Sequence, residues 1–303
     1  MSDKPLCVAL VGPPKCGRYL TWRILDMVLR ANGHDRSFMH DSGIYKEIPA
    51  DVRAKPYHFP ESERMTGVER HPKREVADNT RRGADLCLWW PDPDRPHRFD
   101  VDLERAASES SLISGPVWPS MLDDPRMEAI THRVFVIRDG RDQLVSWAHY
   151  VMKPEMQQRW PSMQRFDSAS EALRGGLEYL SGLWMESAKQ WKEGLEREDT
   201  LPIKYEDLMS GRAGVARKIA EFLGLALDDA LVARICRETG TKRSREHSPE
   251  HVRTARSGDW REMLSPATED VYDMMSGFML AELGYKTETE QEEVMEECRS
   301  HSA

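Results

Sequence analysis

The chain has little of what an extracellular or membrane protein needs. No apolar run approaches the roughly 20 residues of a membrane-spanning helix. Its five cysteines (Cys7, Cys16, Cys87, Cys236 and Cys298) are odd in number and scattered, with no C-x-x-C pair. That argues against a disulfide scaffold or a structural zinc site, and for reduced thiols in a cytoplasmic setting. The opening MSDKPLCVALVG carries one lysine and runs straight into a glycine-proline loop, so no cleaved leader is expected. Excess positive charge is missing too. The net charge is −9, of which −4 lies in residues 286–303, so even without that stretch the body stays acidic. A general nucleic-acid binder is disfavoured, and any anion must be held locally. There is no internal repeat.

What is present fits a globular α/β protein. The 303 residues are 39% hydrophobic and 31% charged, enough for one large domain or two small ones. Pro5 to Val11 reads as a buried strand. Leu20, Ile24, Met27, Val28 and Ala31 then recur at helical spacing, and Asn32-Gly33 is a helix stop. Asp51 to Asp102 is polar, proline-rich and irregular. Strands are expected at Leu112–Val117, Arg133–Ile137 and Leu201–Tyr205. Helices are expected at Gly140–Met152, Leu173–Leu195, Val215–Leu223, Asp228–Arg237 and Glu269–Leu283. Alternation of this kind predicts a single α/β domain with a central, mostly parallel sheet flanked by helices. Residues 286–303 read as a solvated acidic tail.

Four segments carry chemistry. LVGPPKCGRYLTW follows the first strand and enters the first helix, so its backbone N–H groups can converge on an anion. Lys15 precedes Gly17 and is followed by Cys16, so the magnesium-binding hydroxyl of a Walker loop is missing and nucleotide hydrolysis is poorly supported. In FVIRDGRDQLVSWAHY, Arg138 stands at a strand end and Ser146 two helical turns later, able to meet on one phosphate. The pattern R-D-x-R-D equally serves helix capping. VRTARSGDW lies in a basic segment, and LPIKYEDL is a strand that ends in Tyr205 and two acids.

In this order the four segments resemble the sulfotransferases that use 3′-phosphoadenosine-5′-phosphosulfate (PAPS). The family's P-K-[SA]-G-T-T-W is similar to Pro14-Lys15-Cys16-Gly17-Arg18-Tyr19-Leu20, and its arginine and serine eight residues apart to Arg138 and Ser146. Its Y-E-D matches Tyr205-Glu206-Asp207, and its R-K-G-x-x-G-D-W matches Arg253-Thr254-Ala255-Arg256-Ser257-Gly258-Asp259-Trp260. The resemblance implies a P-loop-like sulfotransferase domain over residues 1–285, with transfer of a sulfuryl group from PAPS to a hydroxyl or amine of a small molecule. It further implies donor contacts at Lys15, Cys16, Gly17, Arg18, Tyr19, Arg138, Ser146, Tyr205, Thr239, Arg253, Thr254 and Ala255, with Lys15 neutralising the leaving group. No metal is called for.

The chain also departs from the family. Two readings of the first motif stay open: Arg18 and Tyr19 replace the two threonines, or two residues are inserted and Thr21-Trp22 is the true T-W. Thr254 and Ala255 stand where the family has lysine and glycine. The K-T-H that supplies the acceptor's base is absent, with Ser114 or Gly115 at the histidine's place. His40, beside Asp41, and His149, three residues past Ser146, are the candidate bases; His40-Asp41 equally reads as a surface helix-capping pair, and an acceptor acidic enough to need no base is the other alternative. His247 and His251 are spoiled as a helical metal pair by Pro249. Trp89, Trp90, Trp118, Trp147 and Tyr150 are expected near the acceptor side and suit a flat apolar acceptor, although tryptophans are more often simply core. A homodimer is left open, its family motif surviving only loosely as Arg261, Ser265, Pro266 and Asp270. Two other functions compete: a PAPS-binding protein that has lost catalysis, and a small-molecule kinase.

Overall fold

The computed structural model describes residues 5–36, 86–90, 97–101, 103–114, 125, 128–153, 166–243 and 256–285. The expected tail at 286–303 lies outside them. The chain begins with β1 (Val8–Val11) and α1 (Arg18–Ala31). A hairpin of β2 (Leu86–Trp90) and β3 (His97–Val101), then α2 (Leu103–Glu109) and β4 (Leu112–Ser114), follow. The second half carries β5 (His132–Ile137), α3 (Gly140–Val151), α4 (Ala169–Gly194), β6 (Thr200–Lys204) and α5 (Tyr205–Ser210). It closes with α6 (Arg212–Leu223), α7 (Asp229–Glu238), α8 (Trp260–Met263) and α9 (Pro266–Glu282). No described helix is long and apolar enough to cross a membrane.

Four strands form one parallel sheet in the order β4-β1-β5-β6, as the alternating pattern predicted. All four residues of β1 are buried, because helices cover both faces. Its side chains alternate between two cores. Ala9 and Val11 join Phe135 and Ile137 of β5 against α3, α4 and α9. Val8 and Leu10 join Val134 and Val136 against α1, α6 and α7. Deleting any of these side chains would open a cavity, at about 2–5 kcal/mol for a leucine-to-alanine change.

The sheet order also places the site. From β1 the chain goes to β4 on one side, while β5 lies on the other. The connections leaving the carboxyl ends of β1 and β5 therefore diverge, and a crevice opens between them. The helix caps are those the sequence encodes: Ser168 accepts from Glu171 N at the head of α4, and Ser265 precedes Pro266 at the head of α9.

Several regions differ from expectation: α2, α5 and α8 stand where no helix was expected, and Tyr205 opens α5 instead of ending the strand. Within the stretch read as irregular, Leu86–Trp90 pairs antiparallel with His97–Val101, with Trp90 opposite His97. The proline-rich sequence between the two strands hides the pair from a reading by pattern. The strand expected at Leu112–Val117 is described only to Ser114.

Candidate active site

The loop after β1 is shaped by close backbone approach. Gly12 has φ 149°, and a Cβ there would come within 2.3 Å of the Val136 carbonyl oxygen on the neighbouring strand. Lys15 has φ 66°, the only non-glycine among the described residues with positive φ. Gly17, at φ 101°, caps α1, and a Cβ on it would lie 2.5 Å from the Tyr205 ring. No side chain caps this helix and no acid stands in its first turn. Its free N–H groups and the dipole are thus left for an anion.

Helix α1 starts at Arg18. Arg18 and Tyr19 occupy the first turn. Thr21 is fully buried and its hydroxyl donates to Gly17 O at 3.2 Å, so it is spent inside its own helix. Cys16 is buried beneath the loop, and that burial pushes its thiol up to about 12.

Across the crevice, Arg138 is only 6% exposed at the end of β5. Its guanidinium lies over the Tyr205 ring, 4.4 Å from the centroid. Its Nη2 donates to Arg256 O at 2.7 Å and stands 3.4 Å from the Asp142 carboxylate. Its Nε is buried and meets no partner among the described residues. Asp142 in turn accepts from Gly258 N at 2.6 Å and Trp260 N at 3.1 Å, which seats the late motif beside β5.

The other half of R-D-x-R-D is structural. Asp139 caps α3 by accepting from Arg141 N, and it pairs with the Arg141 guanidinium at 2.8 Å. Arg141 also donates to Tyr285 O at 2.7 Å and stacks 3.7 Å from Trp260. Burial raises the carboxyl of Asp139, opposed by its bonds to Arg141. Burial likewise raises Glu206, which accepts from Asp139 N at 3.4 Å and Tyr285 OH at 3.3 Å. The capping role foreseen for the motif is thus filled by Asp139 and Arg141, while Arg138 turns to Arg256, Asp142 and Tyr205.

Helix α3 supplies the far wall. Lys15 Nζ stands 3.9 Å above the centre of the Tyr150 ring, and Gln143 Nε2 donates to Pro14 O at 2.7 Å. Ser146 and His149 are half-buried on the same helix. Trp147 instead turns to the core, edge-on to Phe166 at 6.0 Å and tight against Gly176.

Lys15, Gly17, Arg138 and Tyr205 are thus brought together, with Arg256 behind them. Thr239 does not join by its hydroxyl, which donates to Ile235 O at 2.6 Å at the end of α7. His40, Asp41, Trp118, Arg253, Thr254, Ala255, His247 and His251 lie outside the described residues, as do the side chains of Trp89 and Trp90. Among the described residues no cluster of His, Cys, Asp or Glu could hold a metal ion.

Sequence reasoning missed several groups. Arg23 and Arg212 each bury a guanidinium nitrogen that meets no partner among the described residues, as does Arg18. Arg212 reaches Thr241 at 3.4 Å, and Arg23 reaches Glu238 at 3.9 Å. The signal for Arg212 was an arginine on the first turn of α6, where the helix dipole disfavours a cation. Gln143 and Asp142 were hidden within the quoted motif, their partners being far away in sequence.

The profile of the sulfotransferase domain matches residues 7–284. Human sulfotransferase 1C2 is 21% identical over 200 residues, covering 61% of this chain and 66% of that protein. Rat sulfotransferase 1A1 is 25% identical, over 51% of this chain and 57% of that protein. The chain thus spans between about half and two thirds of these relatives' length. In fold it is similar to a mouse sulfotransferase crystallised with PAP, with TM-score 0.57 and 15% identity over 98% of this chain and 89% of that one. It is also similar to a retinol dehydratase in complex with retinol and PAP, with TM-score 0.55 and 14% identity over 92% and 83%.

Proposed function

The chain belongs to the sulfotransferase domain family, and from that premise we propose that it moves a sulfuryl group from PAPS to a hydroxyl or amine of a small-molecule acceptor. One observation carries the reading. Arg138 is buried at a strand end with a guanidinium nitrogen that meets no described acceptor, stacked on Tyr205 and facing the loop that presents Lys15. A buried, incompletely paired cation is costly unless an anion completes it. A 3′-phosphate would do so, with Ser146 and the segment from Arg253 to Ala255 adding donors.

When bound, PAPS supplies the sulfuryl group and a phosphate that leaves. The loop N–H groups and the α1 N-terminus would bind the 5′ end, with Arg18 and Tyr19 in its first turn. Lys15 would neutralise charge that grows on the bridging oxygen as the bond breaks, an electrostatic role worth several kcal/mol in a dry site. Tyr205 would border the base, held by Arg138 and closely approached by Gly17. His149, half-buried on α3, is proposed to face the acceptor; His40 is the base proposed for the acceptor's proton. The acceptor proposed is flat and apolar, and the setting the cytoplasm, which the unpaired Cys7, Cys16 and Cys236 suit.

The test is calorimetry with PAP against ATP and 5′-AMP, followed by an acceptor screen with PAPS. Tight binding of PAP alone, with transfer to some acceptor, is the expected result. Equal affinity for all three nucleotides would overturn the reading.

A further inference from the structure

Gln143 and Tyr150 are seven residues apart on α3, two turns along one face of the helix. Both reach the same dipeptide of the loop after β1. Gln143, 1% exposed, donates through Nε2 to Pro14 O at 2.7 Å. Tyr150 places its ring 3.9 Å beneath Lys15 Nζ. Between these contacts runs the Lys15 backbone, held at φ 66° where a side-chain-bearing residue rarely stays without support.

We propose that Gln143 and Tyr150 are positioning residues that form a two-point clamp on Lys15, one fixing its backbone and the other its ammonium. Lysine is a compact charge on a flexible stem, so its direction is set by whatever holds its two ends. The Gln143 bond fixes the peptide on which the stem is rooted. The Tyr150 face attracts the cation through the ring quadrupole without neutralising it, as a carboxylate would. A lysine held this way is already aimed when the donor arrives, and little ordering is left for the transition state. Nothing in the family motifs quoted above specifies either residue.

This inference rests on the reading that Lys15 acts on the leaving group, and the experiment separates the two. Steady-state kinetics and PAP affinity are measured for K15M, Y150L, Y150F, Q143M and the double variant Y150L/Q143M, with thermal melts as a check on folding. Y150L should lower kcat about tenfold while the PAP dissociation constant moves less than twofold, and Y150F should recover most of that loss, since phenylalanine keeps the ring face. Q143M, close to glutamine in shape, should lower kcat by a similar factor, and the double variant should lose less than the product of the two because both act on one lysine. A Y150F as impaired as Y150L overturns the clamp, because the hydroxyl would then be the working group. So does a Y150L with unchanged kcat while K15M is inactive. If K15M itself turns over normally, the underlying role of Lys15 has failed.

Discussion

The guanidinium of Arg138 stacks 4.4 Å from the centre of the Tyr205 ring, although the two residues leave adjacent strands 67 positions apart. Beside them Gly17 is too close to Tyr205 to carry a side chain. Strand end, neighbouring strand end and loop thus share one contact. The donor's two phosphate ends would be gripped from opposite sides of it.

Arg138→Ala should weaken binding of PAP by about 1.5–3 kcal/mol, the range for a charge-assisted contact. Binding of 5′-AMP should hardly change. Parallel titrations of the two nucleotides decide it: equal losses would mean that the arginine supports the fold and does not read the 3′-phosphate.

Lys15→Met should lower kcat by about 10²–10³, as loss of a preorganised electrostatic donor does. PAP affinity should fall much less, since the charge matters most as the bridge breaks. A variant with normal turnover and weak donor binding would make Lys15 a tether.

His40→Ala should lower turnover by at least ~10²-fold, the lower end for a positioned base, with nucleotide affinity intact. His149→Ala should chiefly raise the acceptor's KM. Reversal of the two phenotypes assigns the base to His149.

Cys7 and Cys16 should resist alkylation at pH 8 in the folded protein and react on unfolding, followed by mass spectrometry of the modified peptides. Burial raises both thiols from 9.0 to about 12, and thiolate is the reacting form. The sign for stability follows. Both groups favour the folded state fully below pH 9, and this contribution is lost as pH rises from about 9 towards 12. Rapid labelling of either cysteine at pH 8 without unfolding would contradict their burial.

The sequence revealed strands and helices wherever period and caps agreed, as at Arg133–Ile137 and in the long helix α4. It revealed the loop and Arg138 because their chemistry is local: glycines at tight turns, a cation at a strand end. It did not reveal the β2–β3 hairpin, whose short strands flank prolines. Nor did it reveal α5, whose six residues are too few for a helical period to emerge. Gln143, Asp142 and Arg212 were illegible for another reason. Each acts on a partner 29 or more residues away, and pairing at that distance leaves no mark in local pattern. Trp147 shows the converse, its aromatic ring suggesting an acceptor wall while Gly176 on α4 leaves just the gap that packs it into the core.

The carboxylate of Asp142 receives backbone N–H groups from residues 116 and 118 positions further along the chain. That separation has a consequence for how the protein is made. Closing so long a loop costs entropy that only the finished sheet and its helices can offset, so this contact forms late. A nascent chain halted before residue 256 already contains the loop after β1, all six described strands and α3. Yet Arg138 then has no Arg256 carbonyl to hold it, and Asp142 no amides to receive. The donor binding proposed above would therefore wait for the last sixth of the chain, and nucleotide binding during synthesis would report completion of the fold.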